Sequence, residues 1–112
     1  MPAPRLNRKL ALQGATLAPD GAGGWSTVWT TLGELWAEVR PGRGRALTVA
    51  TLDVSRVPLT ITVRAAPVGD DRRPRPDQRL RDGTRTYRIL AVRDADPDAR
   101  YLQCLAEEEV TA

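Results

Sequence analysis

From Val57 to Ala65 the chain alternates strictly. Val57, Leu59, Ile61, Val63 and Ala65 fall on one face, with Thr60, Thr62 and Arg64 on the other. A period of two is the mark of a strand with one buried face, and β-branched threonines suit the solvent side of a pleat. The same period recurs along most of the chain. Leu10 and Leu12 point inward around Lys9 over Arg8–Gln13, and Trp25, Thr27 and Trp29 share a face over Trp25–Thr31. Leu35, Ala37 and Val39 then alternate with Trp36, Glu38 and Arg40. Gly33, between the last two runs, reads either as a break or as a bulge within one long strand.

Punctuation between the runs is that of turns. Ala18–Gly24 is a loop by its glycines and proline, and Pro41–Arg45 (PGRGR) ends a strand. Pro67–Gln78 carries three prolines and a charge cluster, which predicts an exposed loop with a solvated tip. Asp82-Gly83 predicts a two-residue type I′ turn. A final hairpin is expected from Tyr87–Val92 and Tyr101–Glu107 around Asp94–Ala99, with Glu107–Glu109 as a solubilising tail. Ala46–Val54 is ambiguous: Leu47, Ala50 and Val54 fit a helical stripe, while its β-branched residues favour extension. It reads as a short helix or an extended arm. The expected fold is therefore mainly all-β, a small antiparallel β-barrel or sandwich of about six strands with that arm inserted.

Size and composition bound the rest. At 112 residues the chain has the length of one domain, over residues 1–112, and buries roughly two-thirds of its unfolded surface. The core is lean, with no Phe and only Ile61 and Ile89 as isoleucines. With so few large residues, at least one of Trp25 and Trp29 is expected in it, the alternative being an interface anchor. A single cysteine excludes an intrachain disulfide and favours a reducing compartment. The basic N-terminus has no continuous apolar stretch behind it, so no signal peptide is predicted, and no apolar run approaches the ~20 residues of a membrane span. The reading is a soluble, cytoplasmic protein without membrane association. Every basic residue except Lys9 is arginine, yet the net charge is only +3. Codon bias in GC-rich DNA explains that preference more simply than phosphate binding does.

The chemistry of active sites is missing. There is no histidine, which removes the usual general base, the Ser–His–Asp triad and the commonest zinc ligand. Cys104 lies among Leu102, Leu105 and Ala106 and reads as a small core hydrophobe. Asp94–Asp98 resembles the start of a calcium loop, but Ala99 and Leu105 occupy the positions where Gly and Glu are required. Gly42, Arg43, Gly44 and Arg45 lack the strand–turn–helix setting of a phosphate loop and read as a flexible joint. No catalytic residue, metal ligand or cofactor is assigned, and no enzyme activity is expected. A free single-stranded nucleic-acid-binding β-barrel would need aromatic platforms in a basic groove, and no strand face here alternates aromatic with basic residues.

Taken in order, these segments resemble a family. An opening Arg5–Gln13 strand leads through a Gly loop to Gly24-Trp-Ser-Thr-Val-Trp29. Leu35-Trp-Ala-Glu-Val-Arg-Pro41, a Gly-Arg joint, an arm and Leu59-Thr-Ile-Thr-Val-Arg64 follow. The end is Asp82-Gly83, Tyr87-Arg-Ile-Leu90, an Asp-Pro turn and Tyr101-Leu-Gln-Cys-Leu-Ala-Glu-Glu108. This order is similar to the head–tail joining, or head-closure (stopper), proteins of long-tailed phages and phage-like gene transfer agents. The resemblance implies a virion structural subunit at the particle neck, assembled in the bacterial cytoplasm. It implies a cyclic ring of copies of the chain, six being the expected number, between an adaptor or portal-side connector and a tail terminator or tail-tube protein. Double-stranded DNA would pass through its lumen without sequence readout; a tail-terminator subunit of the same particle is the neighbouring alternative. The excursion at about 42–56 becomes the candidate docking or gating arm, with Gly42 and Gly44 permitting a hinge. Gly42, Arg43, Gly44, Arg45, Leu47, Val49 and Leu52 are its candidate interface residues.

Overall fold

The computed structural model describes residues 3–41 and 56–109, with Arg56 and Val57 described by their backbone alone. Within them lie β1 (Arg8–Pro19), β2 (Trp25–Pro41), β3 (Arg56–Arg64), β4 (Arg79–Asp82), β5 (Arg85–Asp94) and β6 (Tyr101–Glu109), and no helix. All neighbours pair antiparallel in the order β1-β2-β3-β6-β5-β4, and β1 returns to β4, so the sheet closes into a barrel. Closure leaves no edge along the barrel wall, which is how a small all-β protein satisfies its backbone without a covering layer.

The alternating residues meet inside. Leu10, Leu12, Ala37, Ile61, Val63, Leu80, Tyr87, Ile89, Leu102, Cys104 and Ala106 form one buried cluster, rimmed by Leu35, Val39, Leu59, Ala65 and Val92. Each large aliphatic side chain contributes about 1.5–3 kcal/mol by leaving water. Tyr87 is the largest side chain fully enclosed. Its hydroxyl lies 3.3 Å from an Arg8 guanidinium nitrogen, and Arg8 also pairs with Asp82. A buried phenol needs such a polar outlet. The Asp82 hydrogen bond leads the effects that hold the Arg8 pKa above its ordinary value.

Two bulges bend the wall. Gly33 faces Leu12 and Thr31 faces Gln13, so Leu32 is the extra residue of β2. Trp25–Val39 is thus one long strand with an irregularity beside Gly33. In β5, Leu90 is the extra residue between Ile89 and Ala91 and is pushed outward. Pro58 lies within β3, but the ladder to β2 stops at Leu59, so the missing amide breaks no bond on that side.

Several local expectations are corrected. β1 runs on to Pro19 and the first turn shortens to Asp20–Gly24, because β2 continues the ladder past Gln13. The turn after β4 is centred on Gly83-Thr84, with Asp82 paired to Arg85. Gly83 alone has positive φ there, as type II′ requires; type I′ would need two such residues. Glu107–Glu109 belong to β6 and pair with β3. Thr62 is 7% exposed, since the N-terminal segment lies near this outer face and Arg5 donates its backbone N–H to Glu38 at 2.8 Å. The 67–78 loop is tied down as well. Pro74 is fully buried, Arg73 bonds the Ala66 carbonyl at 2.8 Å, and the buried Gln78 accepts the Arg75 amide at 2.9 Å.

Candidate assembly surface

Reactive groups are quenched by the fold. Cys104 is buried, and burial pushes its thiol up to about 12, so it packs as a hydrophobe. Asp96 spends its carboxylate within the β5–β6 turn, accepting the backbone N–H groups of Arg100 (2.8 Å) and Tyr101 (3.3 Å) and the Arg100 Nε–H (3.0 Å). That is the self-capped turn expected over Asp94–Ala99. Among the described residues no group of His, Cys, Asp or Glu could hold a metal.

What the surface offers is a projecting ribbon. β1 meets β4 only at Ala11–Gln13, and β2 meets β3 only at Ala37–Pro41. Gly14–Pro19 and Trp25–Thr30 therefore pair with each other and, among the described residues, with no other strand. Residues facing each other across a ladder share a face, so Ala15, Leu17, Pro19, Trp25, Thr27 and Trp29 lie together. Leu17 is 69% exposed and Trp25 67%. Trp29, nearer the barrel, is half covered: the Arg79 guanidinium lies 4.1 Å over its ring, and Arg79 Nε–H donates to Gln13 at 2.6 Å. Burial, then the neighbouring Arg81, lowers the Arg79 pKa. None of the three tryptophans is in the core, contrary to the expectation for Trp25 or Trp29. Tyr87 fills the space instead.

At the ribbon tip Asp20 accepts the amides of Ala22 (2.8 Å) and Gly24 (3.0 Å), and these bonds hold its carboxylate below the usual range. Gly21 and Gly23 take positive φ there, which explains the glycines of this turn. Around the barrel, Trp36 (55% exposed) lines a shallow recess with Leu6 and Arg64. A second recess of about 810 Å³ runs over β2, β3 and β6, lined among others by Arg5, Glu38, Arg40, Thr62, Arg100 and Gln103.

The candidate arm residues Gly42, Arg43, Gly44, Arg45, Leu47, Val49 and Leu52 lie outside the described residues. The sequence offers Trp25 only as an alternative interface anchor and singles out neither Leu17 nor Val28. A signal was present: between Lys9 and Glu34 the sole charged residue is Asp20, in a chain that is 28% charged. Depletion of charge, with Trp in its place, is what interface cores show.

Comparison with known proteins agrees with this picture of an assembly component. A chain in the virion of a native gene transfer agent particle is 47% identical, over 98% of this chain and 100% of that one, with a TM-score of 0.75. A Shigella flexneri 2a protein solved in solution shares the fold at 19% identity, over 96% of each chain, with a TM-score of 0.67. No curated protein matches. The family model described as phage head completion protein matches residues 1–109, and the chain belongs to that family.

Proposed function

We propose that this protein is a non-enzymatic structural subunit of the ring that joins head to tail in a phage or phage-like particle. The observation that carries this reading is the 47% identity, over nearly the whole length of both chains, to a component of a gene transfer agent virion. A lean barrel with an exposed apolar ribbon is consistent with it, because such a subunit gains stability from its neighbours. Copies join head to tail in a closed cycle, six being the expected number, since a repeated heterologous contact closes when its rotation allows. The ring stands at the neck, between an adaptor on the portal side and a tail terminator or tail-tube protein. DNA passes through it with no base-specific contacts. The segment at about 42–56 is the arm that docks on the adaptor or gates the channel.

Light scattering and negative-stain images of the purified protein, alone and with its portal-side connector, test the reading. Closed rings are expected. A protein that stays monomeric and never joins a connector complex overturns it. Replacing Leu47 and Leu52 together by Asp is expected to leave the barrel folded while abolishing assembly; global unfolding of that variant would assign the segment to the core instead.

A further inference from the structure

Hydrogen bonding along the ribbon shows which backbone groups face away from it. Asp20 N–H donates to the Gly24 carbonyl at 3.1 Å, Ser26 Oγ reaches the Ala18 carbonyl at 3.5 Å, and Thr16 Oγ1 reaches the Val28 carbonyl at 3.4 Å. The even-numbered residues of the β1 half thus bond across the ribbon. By the alternation of an antiparallel ladder, the amides and carbonyls of Ala15 and Leu17 point out of one side, and those of Trp25, Thr27 and Trp29 out of the other. Pro19 occupies an outward position, the place where a strand tolerates a missing donor. Among the described residues each side is therefore an open edge, blunted by Pro19 alone, with no lysine or inward charge on either.

We infer that these two edges join copies of the chain: the Gly14–Pro19 edge of one copy adds as a strand to the Trp25–Trp29 edge of the next. This rests on the ring reading above. Strand addition needs an extended partner with open backbone groups of its own. The ribbon supplies both halves of that contact, one on each side. Where the ribbons lie along the common rotation axis, the copies all point them the same way. The β1 half of one then runs antiparallel to the β2 half of its neighbour, the sense the sheet already uses. No charge on either edge opposes the approach, and the exposed face of Leu17 and Trp25 continues from copy to copy. A two-stranded ribbon is marginal in water by itself, so each junction also stabilises the element that makes it.

Proline tests each edge separately, because Ala15→Pro removes an outward donor from β1 and Thr27→Pro one from β2, and neither amide belongs to the ribbon's own ladder. The wild type, each variant and their equimolar mixture are compared by native mass spectrometry, alone and with the portal-side connector. Resistance of the buried Cys104 to a thiol reagent reports that the barrel is folded. Rings are expected for the wild type, and loss of rings with Cys104 still protected for each variant. The mixture is expected to give dimers and nothing larger, since one intact edge remains on each partner. Unchanged rings in both variants, or no dimer in the mixture while the wild type forms rings, overturn the inference and leave the ring reading standing. A variant whose Cys104 becomes reactive is replaced by Ala15→Lys or Thr27→Lys, with the same two outcomes. A wild type that never forms a ring removes both.

Discussion

The barrel and the ribbon share two strands, β1 and β2, and obey opposite rules. In the barrel, β1 and β2 send Leu10, Leu12 and Ala37 into a closed core. A few residues further on, the same strands expose Leu17 and Trp25 to solvent. Backbone follows side chains: among the described residues, pairing is closed around the wall and open along both sides of the ribbon. Stability of the monomer therefore resides in the first region, and the second contributes little until something covers it. Burial, not residue type, sets what each large side chain is worth.

Substitutions at three positions can break or sharpen that contrast. The largest effect is expected at Tyr87. Truncation to Ala opens a cavity at the centre of the barrel and leaves Arg8 without its phenolic partner, costing about 3–5 kcal/mol in denaturant unfolding. A change below about 1 kcal/mol would show that the barrel does not depend on its largest buried side chain. Cys104 comes next. Cys104→Ser places a hydroxyl in an apolar site and is expected to cost about 1–3 kcal/mol. The wild-type thiol gives the same contrast a pH dependence. It keeps its proton in the folded state up to about 12, whereas in the unfolded chain it titrates near 9.0. Over that window the unfolded state binds fewer protons, so this group's contribution to stability is full below the lower value and is lost as pH rises toward the upper one. Comparing wild type with Cys104→Ala in alkaline unfolding isolates it; an identical pH slope in the two proteins would contradict the assignment. The smallest effect is expected at Trp25, where replacement by Ala changes monomer stability by no more than about 0.5 kcal/mol, because the ring is already exposed. A loss of 2 kcal/mol or more would place the ribbon within the cooperative unit of the barrel.

Legibility in the sequence followed the same division. Where a strand has one buried face, as at Leu59, Ile61 and Val63, the alternation is unmistakable and matches β3. On the ribbon the pattern survives only where Trp25, Thr27 and Trp29 mark one face; Gly14–Pro19 places small and polar residues on both exposed faces around the lone Leu17, so β1 reads as ending at Gln13. Pro74 was hidden for a different reason: prolines and charges signal a loop but not whether one of them is drawn inward. Thr62 reads as solvent-facing because the pattern marks the face of a sheet and is silent on what lies across it. The displaced turn at Gly83-Thr84 reflects a one-residue ambiguity that an Asp-Gly pair cannot resolve by itself. The assembly surface had a signal of another kind, a long interval without charge. That is a property of a stretch, and inspection residue by residue passes over it.

The strand order carries one more consequence, for synthesis. β6 stands between β3 and β5, so the two halves of the barrel wall are bridged by a strand that leaves the ribosome after the other five described strands. Before it emerges, the one backbone ladder joining the β1–β2–β3 and β4–β5 segments among the described residues is the short β1–β4 seam of Ala11–Gln13 with Arg79–Arg81. A nascent or prematurely terminated chain lacking β6 thus cannot enclose Leu10, Ile61 and Tyr87. Such a fragment keeps apolar faces and strand edges open, the condition in which chains aggregate instead of folding.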